Sequence, residues 1–243
     1  MRNAKFALSA SAAIGLCVCM LQPSYGQQSH IAVPLTRDLA HGQLWQARRS
    51  LTILSIGDFD PKFRATARYA IEAAIKKAEA AIELLPDHPV DITQDEHGRK
   101  AEEAINATRL VLKVTFQGPA YEEFSRTSLV IMSGSQLMYR SPAELRKMFT
   151  AAGADDRTSK AFDAAVAKSF DRIRSLDRAF NGGKPVVDPR GGKEYVDLQA
   201  LMQSYTISVQ DVLIDGFIEA RGVLALEGKK RLDDAILTDH KVH

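Results

Sequence analysis

The residues best suited to chemistry gather between Pro86 and Gly98. There Asp87, His88, Asp91, Asp95, Glu96 and His97 offer carboxylates and imidazoles in one polar stretch. Counted from Asp91 as the first ligand, Asp95 and Glu102 fall on the fifth and twelfth positions of an EF-hand calcium loop. That loop needs glycine at its sixth position for a sharp turn, and Glu96 stands there. Thr93, at the third position, is a poor ligand. Asp91, Asp95 and Glu102 are therefore weak metal candidates, and the stretch reads as a solvated connection between helices. His240 and His243 stand three apart near the C-terminus, and His41 lies near a helix start. Zinc requires three or four converging ligands, and no HExxH pattern occurs, so no metal is expected.

A second glycine-bearing stretch, Gly182-Gly183-Lys184 to Gly191-Gly192-Lys193, includes Arg190 and resembles a phosphate-binding loop only in outline. Val187 occupies the position of the first glycine and Glu194 that of the Ser or Thr, so the pattern fails at both ends. Residues 181–193 read instead as a flexible interhelical loop. No GxSxG elbow or SxxK pair is present. The adjacent acids Glu122-Glu123, Asp155-Asp156 and Asp233-Asp234 make poor acid/base dyads, because neighbouring residues on a helix do not face each other. No cofactor is implied. An enzyme whose groups converge only in space is the third-ranked reading.

The first thirty residues concern export. Arg2 and Lys5 precede an uncharged, mostly apolar run from Phe6 to Leu21, and Ser24-Tyr25-Gly26 supplies small residues ahead of Gln27. This pattern reads as a secretory signal peptide over residues 1–26, cleaved to release a periplasmic protein. The run is too short for a bilayer-spanning helix, and no later stretch reaches that length. Cys17 and Cys19, the only cysteines, lie inside it, so the mature chain is expected to contain no thiol and no disulfide. The full chain carries 32 basic and 30 acidic side chains. Loss of Arg2 and Lys5 makes the mature part neutral. Nucleic-acid binding normally shows as a basic excess clustered on one face, and it is not expected.

The mature part, 27–243, reads as a single all-α domain: a bundle or array of six to seven antiparallel amphipathic helices. Leu39, Leu44, Ala47, Leu51 and Leu54 give helical spacing from about Leu35 to Ile56. Asp60-Pro61 restarts a helix, with a capping carboxylate and proline at its first position. Ile71, Ile75, Ala78, Ile82 and Leu85 then mark the clearest apolar stripe in the chain. Further helices are expected from Arg99 to Gln117 and from Ala120 to about Tyr139. In this middle third a small β-hairpin competes, because branched residues cluster at 109–116 and 128–132 around Ser133-Gly134-Ser135. Ser141-Pro142-Ala143-Glu144 resembles a capping box, and Gly153 ends the short helix that follows. A helix from Asp155 or Asp156 to Phe180 and a long one from Glu194 to about Glu227 complete the count. The charged tail, 229–243, is expected to fray.

Ala74 and the run from Ala81 to Pro89 resemble the second helix of a tetratricopeptide repeat over about fifteen residues. The first-helix positions fall on Asp58, Pro61, Lys62 and Ala65, which do not match, and no period of about 34 residues follows. No family is assigned. By exclusion, the leading reading is a non-enzymatic periplasmic protein that binds a partner protein or a second copy of itself. The alternative is a carrier for a small apolar or lipid-like ligand, with Phe162, Phe170, Phe180, Tyr205 and Phe217 lining a cavity between helices.

Overall fold

The computed structural model describes the backbone of residues 34–181 and 193–242, and the side chains of 34–180 and 202–239. Among these residues there are nine helices and no strand. They are α1 (Arg37–Gln43), α2 (Trp45–Ile56), α3 (Pro61–Ile82), α4 (Glu96–Thr115), α5 (Pro119–Arg140), α6 (Pro142–Ala151), α7 (Asp156–Asn181), α8 (Lys193–Gly222) and α9 (Leu226–Val242). Residues 1–33, with the expected signal segment 1–26, and most of the expected loop 181–193 lie outside the described residues.

Local chemistry places several of the ends. Asp60 caps α3 by accepting from the amides of Lys62 and Phe63, both at 3.0 Å, with Pro61 behind it. Gly153 closes α6 at φ 98°, a backbone geometry that side-chain-bearing residues rarely adopt. Ser141, expected to form a capping box, makes no side-chain cap bond at the start of α6.

Two further expectations are corrected, and the choice in the middle third falls to the helices expected there. The helix expected from Leu35 to Ile56 is two, because the chain turns at Leu44, whose side chain is buried against α3 and α4. The middle third forms no hairpin: Ser133, Gly134 and Ser135 lie inside α5, and the branched residues pack as helix faces. The tail expected to fray is α9, anchored by Leu232 and Ile236, both fully buried. Leu232 and Ile236 stand four apart, a spacing that suffices to dock one side of a highly charged helix.

The packing has two halves that share α5 and α8. In one, α3 and α4 form an antiparallel hairpin. Its loop end is covered by α1 and by a single antiparallel bridge between Leu35 and Val90. Ala40, Leu44, Ala78, Ile82, Ala101 and Ile105 fill the space beneath α1. Beside it Leu54, Phe59, Ile71, Phe116, Ile131 and Ile214 join α2, α3, α5 and α8. In the other half, Met138, Phe149, Phe162, Phe217, Leu232 and Ile236 join α5 to α9.

The two halves meet where α5 crosses α8. Gly134 lets the Phe217 ring lie against the α5 backbone: a Cβ added there would stand 2.3 Å from the ring. Gly216 does the same toward α7, where an added Cβ would meet the Ser169 hydroxyl at 2.0 Å. These approaches explain two glycines inside long helices, where each costs about 0.5–1 kcal/mol against alanine.

Two substitutions separate packing from helix propensity. Gly134→Ala should destabilise by about 1 kcal/mol or more in a urea melt, because overlap with the buried Phe217 outweighs the helix gain. Gly222→Ala, with nothing within 4 Å of its added Cβ, should be neutral or slightly stabilising. An equal effect of the two would contradict the close-approach account.

Arg221 and Asp233 form a two-point ion pair between α8 and α9, at 2.8 and 2.6 Å, with side chains only 16% and 10% exposed. Removing one partner leaves the other charge buried. Asp233→Ala should therefore cost about 3 kcal/mol in the same melt, well beyond any exposed pair in the chain.

Candidate functional site

The residues singled out as metal ligands serve the backbone instead. The Asp91 carboxylate accepts from the Thr93 amide at 2.8 Å and from the Thr93 hydroxyl at 2.7 Å. Those two bonds, the hydroxyl's first, hold its carboxyl below the usual carboxylate range. Asp95 caps α4 by accepting from the Gly98 amide at 2.7 Å. Glu102 lies on the second turn of that helix. The three do not converge. Among the described residues no group of three or more His, Cys, Asp or Glu side chains is placed to hold a metal ion.

The aromatic residues proposed to line a cavity separate into three places. Phe162 and Phe217 are fully buried, and Phe162 packs on Phe149 with ring centroids 4.6 Å apart. Phe170 is half-buried and stacks on Tyr139 at 5.9 Å. Tyr205 lies on Phe180 at 4.6 Å and donates its hydroxyl to Asp177. These are contacts of a packed interior and its margin. A surface depression does occur elsewhere, between α6 and α9, lined by Met148, Asp234, Ala235, Thr238 and Asp239.

Charged groups far apart in sequence meet in several places, and two of these are clusters. Asp211 on α8 accepts from the Trp45 indole at 2.7 Å and from Arg49 Nε at 2.8 Å, while Arg49 also reaches Asp215 at 3.0 Å. The cluster clamps α2 onto α8. Its one guanidinium is engaged by two carboxylates. Along α3, an antiparallel ladder pairs Arg37 with Asp87 at 3.3 Å, His41 with Glu83 at 3.2 Å and Arg48 with Glu79 at 2.9 Å. The acids recur every four residues, a signal the sequence does carry. The basic partners come from α1 and α2, which it does not reveal.

Large apolar side chains are left exposed on several elements, Leu226 at 85% on α9 and Tyr121 at 58% on α5 among them. On α3, Tyr69 is 77% exposed; on α4, Leu110 and Val114 are each 60% exposed and stand one turn apart. Both helices bury their opposite sides, through Ile71, Ile75 and Ala78 on α3 and through Ala101 and Ile105 on α4. No helix among the described residues is long and apolar enough to cross a membrane. The chain matches no known protein family, no curated protein and no solved structure.

Tyr205 supplies a spectroscopic test of the α7–α8 contact. Burial first, and the bond to Asp177 second, push its phenol from 10.0 up to about 12. A raised phenol favours the folded chain below the ordinary value. That contribution is lost as pH climbs through the folded value. Ultraviolet titration should therefore show one tyrosine ionising near pH 12, absent in Tyr205→Phe. Ionisation of all tyrosines together near pH 10 would contradict the contact.

Proposed function

We propose that the chain is exported by its N-terminal signal segment and works in the periplasm by binding another protein, without catalysing a reaction. The observation that carries this reading is that the α3–α4 hairpin leaves large apolar side chains exposed, Tyr69 on α3 and Leu110 and Val114 on α4. Large side chains of this kind lose favourable burial energy when left in water. An aromatic ring held on a rigid helix is also a common anchor of protein interfaces. The rest of the fold supports such a role. The hairpin is braced at its loop end by α1 and at its side by α2, so the surface is presented without having to be ordered on binding. The carrier reading has no comparable support, because its aromatic residues fill the interior or pair at its edge.

The test is site-specific photocrosslinking in the envelope of the native host. A photoreactive side chain at Tyr69 or at Val114 should give one discrete crosslinked species. The same group at Lys160, exposed on α7, should give none. Equal labelling at all three positions, or none at any, would defeat the proposal.

A further inference from the structure

The outer side of α3 points to a specific partner, a second copy of this chain; this rests on the binding role proposed above. Ala65, Tyr69, Ala73, Lys76 and Ala80 recur at steps of four, four, three and four, and all are exposed. They form one continuous stripe opposite the buried face of Ile71, Ile75 and Ala78. Three of the five are alanine, so a second helix can approach closely along it, since interaxial distance depends on the side chains at the contact.

Charge is what selects the occupant. Lys76 makes no ion pair among the described residues. Glu72, one turn before it, is reached only by Arg68, at 3.9 Å. We infer that two copies pack α3 against α3 in antiparallel fashion about a two-fold axis near Ala73. A two-fold axis in the contact plane and perpendicular to the helices reverses chain direction but keeps each flank beside its own copy. Lys76 then faces the partner's Glu72. Tyr69 lies over the partner's Ala80. Each pair occurs twice, and no like charges are opposed at the crossing. In a parallel arrangement Glu72 would face the partner's Glu72 and Lys76 the partner's Lys76, which is repulsive. The stripe is thus self-complementary in one direction only. A single helix pair is a small contact beside the roughly 800 Å² per partner of a standard interface, so the dimer is a weak, concentration-dependent one.

Sedimentation equilibrium of the mature chain over a rising concentration series tests this directly. A monomer–dimer equilibrium is expected. Tyr69→Glu should abolish it, and Lys76→Glu, which sets an acid against the partner's Glu72, should weaken it about tenfold. The double variant Glu72→Lys with Lys76→Glu restores opposite charges across the axis and should recover the dimer. All three positions are exposed, and unchanged helicity by circular dichroism would verify that the variants fold. A monomer throughout overturns the inference, as does a dimer indifferent to both single substitutions. The photocrosslink at Tyr69 separates the two levels. A product of twice the chain mass supports the second copy. A product with a different protein refutes it while leaving the binding role intact, and no product refutes both.

Discussion

The crossing of α5 over α8 is the contact on which the rest of the structure depends. Gly134 admits the Phe217 ring to the backbone of α5, and Ile131 and Met138 lie one turn to either side of it. Ile131 faces the core shared with α2 and α3, and Met138 faces the core shared with α6, α7 and α9. Without the close approach, α5 and α8 would be held apart by a side chain's width. Neither core could then pack to interior density. Gly216, one residue before Phe217, extends the same constraint to α7. A chain expected to fold without disulfides thus concentrates its long-range connectivity at a single helix crossing.

Polar contacts act around this crossing as clamps on direction. The Trp45–Arg49–Asp211 cluster ties the start of α2 to the middle of α8, and Arg221–Asp233 ties the end of α8 to α9. Buried pairs of this kind add little net stability over an apolar alternative, but they penalise any arrangement that separates the partners. Their service is to choose among packings. The aromatic stripe of α7 shows the same logic in apolar form. Phe162 enters the core, whereas Phe170 and Phe180 each pair with a tyrosine at its edge.

The surface left over is as informative as the core. The hairpin of α3 and α4 is braced on its inner side and bare on its outer one, and α3 carries a charge pattern that suits its own antiparallel copy. A helix with one face committed to a fold and the opposite face apolar and ordered is suited to recognition. Of the carboxylates near it, Asp91 and Asp95 are engaged by backbone amides and Glu79 pairs with Arg48.

Much of the helical layout was legible in the sequence, because helix periodicity, capping by Asp60 and closure by Gly153 are local properties. The apolar stripe of Ile71, Ile75, Ala78 and Ile82 is buried as its spacing demands. What depended on partners could not be read. The bend at Leu44 follows from what lies under it, and α9 is ordered because α5 and α6 cover Leu232 and Ile236. Judged alone, its charge-rich sequence suggests a solvated end. The EF-hand spacing of Asp91, Asp95 and Glu102 dissolved because two of the carboxylates are bound by nearby amides. Trp45 and Asp211 meet across 166 positions of chain, a separation over which no periodicity carries information. Sequence determined which segments are helical and which faces are apolar, since both depend on residues within a turn or two. Tertiary structure decided which faces are covered, because burial belongs to pairs of surfaces.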